Sequence, residues 1–246
     1  MNEWPQISYR YDGSFAGFLC CVWESFAEHE EPCAFLSPEE EQFSLYPCRE
    51  VETNTKRARQ TYSSLAQHLP PGGKELFSLA FLTCLPEREL HIYRYLRAHL
   101  EGECLTDLTD ERALALSTAV RHLQGEAELL MGFVRFSDYD GLLVGEITPK
   151  NRILPLLRPH FCKRFPNESF LLFDKTHREA LGHRQGEWRI FPLDALSFDA
   201  PDGTEQQYRA LWRCFYDTIA IESRLNPRLR MSHMPRRYWA NMTEFQ

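Results

Sequence analysis

Residues 133–147 read FVRFSDYDGLLVGEI. Two stretches rich in large apolar residues, Phe133–Phe136 and Leu142–Ile147, flank Asp140-Gly141. Asp-Gly readily adopts the positive φ angles of a two-residue turn, so the stretch predicts a β-hairpin. Three more strands are expected downstream at Ser169–Phe173, Glu179–His183 and Trp188–Phe191, with Gln185-Gly186 turning between the last two. Helical periodicity surrounds them. Leu116, Val120, Leu123, Ala127 and Leu130 form one stripe over about 110–131. Residues 149–166 read as a helical connection distorted by Pro159, and Tyr208, Leu211, Trp212, Phe215 and Ile219 mark a helix over about 205–224. Helix, two strands, helix, three strands, helix is an α+β order: an antiparallel sheet of about five strands flanked by helices. PAS-like and profilin-like sheets share that order, but such folds host many functions.

Upstream the pattern is mostly helical. Ser14 is placed to cap a helix carrying Phe15, Phe18, Leu19, Val22 and Phe26 at helical spacing. A second helix, about 55–69, is stopped by Pro70-Pro71-Gly72-Gly73, and two more are expected near 74–84 and 87–101. Residues 30–54 are acidic and weakly periodic, with short strands expected around Ala34–Leu36 and Phe43–Tyr46. The chain thus divides into a mostly helical region, 1–105, packed on an α+β region, 106–246, that ends in a basic tail.

The 246 residues are 43% apolar and 13% aromatic, enough for a substantial core. No run approaches the roughly 18 consecutive apolar residues of a membrane span, and Met1-Asn2-Glu3-Trp4-Pro5 is unlike a secretory leader. Eight cysteines, single except for Cys20-Cys21, read as reduced thiols of a cytoplasmic protein. The net charge of −7 is unevenly spread: residues 1–50 hold ten acidic and two basic side chains, residues 207–246 seven arginines and three acids. Overall charge is therefore a poor guide to partners.

No catalytic motif is complete. Cys20, Cys21, Cys33 and Cys48 lack zinc-ligand spacing, so no metal is expected; Gly13-Ser14-Phe15-Ala16-Gly17 departs from a nucleophile elbow, and no phosphate-binding glycine loop occurs. One acid/base set can be assembled. His122 and Glu126 are four apart on a helix, Arg135 lies on the first strand, His160 on the connecting helix and Asp174 at a strand end. The competing reading is a surface pair plus a histidine at a bent turn. Two basic clusters suit phosphates. Lys56, Arg57 and Arg59 stand at a helix start, where the alternative is solvated cations offset by Glu50 and Glu52. Arg224, Arg228, Arg230, Arg236 and Arg237 lead to Tyr238 and Trp239. Guanidinium groups hold phosphates bidentately and exposed aromatics stack on unpaired bases. The alternative is a tail anchored to the core, or arginines paired with the acidic N-terminal end.

Several ordered landmarks carry a family resemblance: Tyr11-Asp12-Gly13-Ser14-Phe15, the stretch from Glu126 to Phe136, Ile153-Leu154-Pro155, Pro159-His160-Phe161, Arg164-Phe165-Pro166, Asn226-Pro227-Arg228 and Met234-Pro235-Arg236-Arg237-Tyr238-Trp239. In these the chain resembles a bacterial domain-of-unknown-function family described as serving DNA metabolism or DNA repair. The family is sometimes joined to a uracil-DNA glycosylase-like domain and accompanies a DNA-repair radical SAM protein. The resemblance implies DNA and those enzymes as partners. It supplies no reaction and no cofactor: the glycosylase water-activating loop and the radical SAM cysteine triplet are both missing here, so either chemistry would reside in a partner. A DNA-binding accessory protein is the leading expectation, with an enzyme built on the His/Glu/Arg/His/Asp set or a docking module for the radical SAM protein as alternatives.

Overall fold

The computed structural model describes residues 4–38, 45–102, 110–197, 203–219 and 226–245, and these fall into two compact units, Met1–His122 and Leu123–Gln246. The fold is mixed α and β, with a helical N-terminal region and a five-stranded, mostly antiparallel sheet flanked by helices. Among the described residues no helix is long and apolar enough to cross a membrane.

In the first unit, β1 (Gln6–Arg10) leads through α1 (Phe15–Glu28) to β2 (Glu31–Leu36), and β3 (Cys48–Glu50) completes a parallel sheet ordered β2-β1-β3. Ser14 caps α1 as its chemistry predicts, accepting from the Gly17 amide at 2.9 Å. Helices α2 (Thr55–His68), α3 (Gly73–Ala80) and α4 (Arg88–Leu100) follow. Their apolar faces join α1 in an aromatic core in which Phe18 stacks on Phe77 and Phe81, at 5.9 and 5.6 Å between ring centres. Strand β1 has no counterpart in the sequence reading. Its five residues bury Ile7, Ser8 and Tyr9 consecutively, so they lack the alternation that marks a half-exposed strand. The expected strand at Phe43–Tyr46 lies partly outside the described residues.

Helix α5 (Glu111–Phe133) begins at Asp110, whose carboxylate accepts from the Arg112 amide and guanidinium. That guanidinium contact, joined by the backbone donors, holds the carboxyl at about 2. The unit boundary falls within α5.

In the second unit, β4 (Phe136–Tyr139), β5 (Leu142–Ile147), α6 (Leu154–Arg164), β6 (Ser169–Asp174), β7 (Glu179–Arg184) and β8 (Glu187–Pro192) form a sheet whose spatial order equals its chain order. All pairs are antiparallel except β5 and β6, which α6 connects as a crossover. Both two-residue turns have the expected backbone: φ is +52° and +83° at Asp140-Gly141, and +53° and +82° at Gln185-Gly186. One boundary is corrected. Phe133 ends α5 instead of opening a strand, and the Val134 amide still donates to the Leu130 carbonyl at 3.1 Å. Four residues with three large apolar side chains fit either period, and here the helical ladder continues. Arg135 therefore lies in the link between α5 and β4, not on a strand.

The core of this unit is again aromatic. Phe136, Phe161, Phe165 and Phe170 meet edge to face or in parallel, with centroids 5.3–6.5 Å apart. Helix α7 (Gly203–Thr218), α8 (Pro227–His233) and two short 3-10 turns, Arg236–Asn241 and Thr243–Phe245, close the described chain.

Candidate nucleic-acid interface

The C-terminal segment has weak local structure, so its order must come from elsewhere. Asn226 caps α8 by accepting from the Leu229 amide at 3.1 Å, Pro227 occupies the first turn, and Pro235 follows the helix end. One capped helix of two turns is marginal by itself. Two buried carboxylates hold the segment in place.

The first is Glu126 on α5, whose side chain is 3% exposed. It accepts from the Lys150 and Asn151 amides, the Asn151 side-chain amide, the Tyr238 hydroxyl at 2.9 Å and Arg237 at 3.0 Å. Burial pushes a carboxyl's pKa up, but these donors, the Lys150 and Asn151 amides foremost, outweigh it and hold Glu126 below the usual range. The second is Glu244, 1% exposed. It takes Arg135 in a fork, at 2.6 and 3.1 Å, and the Trp212 indole N–H at 3.1 Å. Here too burial raises the carboxyl, and Arg135 turns the balance so that it lies below its ordinary value.

These contacts sort the expected phosphate-binding residues. Tyr238 is 1% exposed, and burial, ahead of its partners, pushes its hydroxyl up to about 12, so its ring stands inside the unit. Arg237 is exposed in part and turns one guanidinium nitrogen, Nη2, onto Glu126 and Tyr238, so its charge is matched by a buried carboxylate. Arg230 and Arg236 are different. Their guanidinium carbons lie 5.1 and 5.6 Å from the Trp239 ring centre, and Trp239 stacks on Phe245 at 4.4 Å with the planes 15° apart. The Trp239 indole N–H donates to the Met234 carbonyl at 3.0 Å, which fixes the ring. Among the described residues neither arginine has an acidic partner; Arg230 Nε is itself buried without a hydrogen-bond partner there, which leaves its terminal nitrogens to face a ligand. Stacking orients a guanidinium without using its N–H donors. Arg228, exposed on α8, likewise has no ion pair among the described residues. Arg224 lies outside the described residues.

At the α2 start, Asn54 accepts from the Lys56 and Arg57 amides at 3.0 Å, so the helix supplies its own cap. Arg57 pairs with Glu24 at 2.6 Å and lies 4.1 Å from the Trp23 ring; Lys56 and Arg59 are exposed. The partner of Arg57 is thus Glu24, not Glu50 or Glu52. In the first unit the arginine-and-aromatic arrangement is already spent on an internal ion pair.

The proposed acid/base residues occupy separate environments. His122 is exposed on α5, while Glu126 and Arg135 serve different partners, as described. His160 sets its ring edge-on to Phe161 at 4.9 Å, with Nε2 buried and unpartnered. Asp174, fully buried, closes the β6–β7 turn by accepting from the Thr176 and His177 amides and meets His177 Nδ1 at 2.6 Å. No hydrogen bond or ion pair links any two of the five among the described residues. Cys20 and Cys21 are buried in α1, Cys33 Sγ contacts the Ile7 carbonyl and Cys48 is exposed. No group of three or more potential metal ligands is found among the described residues.

Glu244 escaped the sequence reading, since a lone glutamate near a terminus carries no periodic or motif signal. The spacing of Arg228, Arg230 and Arg236 did mark the basic segment, but not which members stay unspent.

The second unit is a helix-flanked sheet domain whose C-terminal turn is pinned by buried carboxylates and shows stacked arginines. The family model described as a domain of unknown function, DUF4130, matches residues 86–244, more than half of the chain, and the chain belongs to that family. The match takes in α4 to α8 and both carboxylates. No curated protein matches the chain.

Proposed function

We propose that this protein is a DNA-binding accessory factor of DNA metabolism or repair, acting in the cytoplasm beside a partner enzyme. The observation that carries the reading is the Arg230–Trp239–Arg236 stack: two oriented guanidinium groups with unspent donors, beside exposed Arg228. Such an array suits consecutive phosphates of a nucleic-acid strand. Glu126 and Glu244 hold it rigid, which lowers the ordering cost of binding.

A second observation supports the partner half of the proposal. Helix α7 and the residue that follows it leave Leu211, Phe215 and Ile219 between 53% and 64% exposed along one stripe. An apolar stripe of that kind suits a protein partner better than a phosphate backbone. The radical SAM protein and the uracil-DNA glycosylase-like protein associated with the resembling family are the partners we assign to it, and they would supply the catalysis.

The test is fluorescence anisotropy of labelled single-stranded, duplex and uracil-containing DNA across a salt series. Binding should weaken as salt rises, and the double variant Arg230→Ala/Arg236→Ala should lower the log–log salt slope on single strands by about 1.4, about 0.7 per lost phosphate contact. An unchanged slope would remove these arginines from the interface. No binding at low salt would leave the protein-docking half alone.

A further inference from the structure

A cavity in the second unit has a composition that points to its ligand. About 530 Å³ in volume, it lies between α7, the end of α6 and β4, and its lining includes Phe136, Phe165, Tyr208 and Trp212. Phe136 and Phe165 belong to the aromatic core, whereas Tyr208 and Trp212 are 65% and 39% exposed. Three guanidinium groups also line it, and two are already matched. Arg135 forks onto Glu244 and also donates to the Gly132 and Val134 carbonyls. Arg209 pairs with Glu205 at 2.9 Å and donates to Ser137. Arg164, exposed at the rim, has no acidic partner among the described residues and lies 5.6 Å from the Phe165 ring centre.

The lining therefore offers aromatic surface and one unmatched positive charge. A triphosphate would call for several unspent cations, and an aliphatic acid would make little use of five aromatic side chains, Phe161 being the fifth. A planar ring bearing one phosphate matches both features, and the volume falls within the roughly 300–1,000 Å³ of small-molecule sites. We infer that this cleft binds a nucleoside monophosphate unit, its base against Tyr208 and Trp212 and its phosphate on Arg164. The unit is either a free mononucleotide or one unstacked residue of a strand. The inference goes beyond the proposed function and does not depend on the Trp239 arginines.

The experiment is calorimetric titration of the full chain with dAMP and, separately, with deoxyadenosine, which lacks the phosphate. Binding of dAMP should be about tenfold tighter or more, the range of a charge-assisted hydrogen bond. Arg164→Ala should erase that difference, Arg164→Lys should retain part of it, and Tyr208→Ala should weaken both ligands. Arg230→Ala should change neither, so this site and the strand interface can fail separately. Circular dichroism melts confirm that each variant is folded. A labelled single-stranded oligonucleotide separates the two sources. If dAMP competes with it and Arg164→Ala weakens it, the cleft takes a strand residue; if strand affinity is unchanged while dAMP is lost, the cleft takes free nucleotide. Either result supports the inference. Equal binding of dAMP by the parent chain and Arg164→Ala, or no dAMP binding together with unchanged strand affinity in Arg164→Ala, overturns it.

Discussion

Among the described residues, Glu126 accepts from five donor groups inside the second unit and pairs with one cation, Arg237. A carboxylate in that position costs desolvation, and the surrounding donors would cost more if left unpaired. Glu126→Gln keeps the shape but removes the charge and turns an amide towards donors that need an acceptor. It should lower unfolding free energy by about 3 kcal/mol, the scale of a broken buried pair. Urea denaturation would show this as a lower midpoint at unchanged slope. A loss below about 1 kcal/mol would mean that water or a rearranged tail satisfies the site. Gly186, at φ +82°, illustrates a backbone need at the same scale. Gly186→Ala should cost about 1 kcal/mol, because a β-carbon opposes that conformation even though open space surrounds it. A thermal melt unchanged from the parent would show that the turn relaxes.

Among the elements, α7 forms where its period places it, yet leaves its apolar residues exposed. The residues whose period marks this helix, Tyr208, Leu211, Trp212, Phe215 and Ile219, are each at least 39% exposed, while Glu205 at its start is buried. Hydrophobic period locates a helix and its apolar face; it does not say whether that face meets the chain's own core or another molecule. Leu211→Ala and Phe215→Ala should each change stability by about 0.5 kcal/mol or less. Leu172→Ala, in the buried centre of β6, should cost about 2–5 kcal/mol. Chemical denaturation of the three variants compares them directly, and core-sized losses on α7 would show that its stripe is packed.

Across the whole molecule, charge is divided unequally. Residues 1–122 hold nineteen acidic against eleven basic side chains, and residues 123–246 sixteen against seventeen. The near-balanced second half still presents unspent arginines, because several of its acids are consumed inside it. Both buried carboxylates have pKa values held below their unfolded ones. Their contribution to stability is therefore full above the unfolded carboxyl value, about 4.3, and is lost as pH falls through the lower folded values. Stability should drop on acidification below about pH 4.3, more steeply in the parent than in Glu126→Gln. Fluorescence-monitored urea curves at stepped pH test this, and parallel pH profiles would show that Glu126 is not a source of the loss.

The sequence by itself determined the elements whose causes are local: the Ser14 cap, the Asp140-Gly141 and Gln185-Gly186 turns, the α5 stripe and the five-stranded sheet, since turn chemistry and periodicity act within a few residues. The long-range pairings needed the tertiary structure. Glu126 reaches across 111 positions to Arg237, and Arg135 across 109 to Glu244. Which arginines are spent and which remain for a ligand depends on where distant carboxylates arrive, and neither composition nor spacing records that distance.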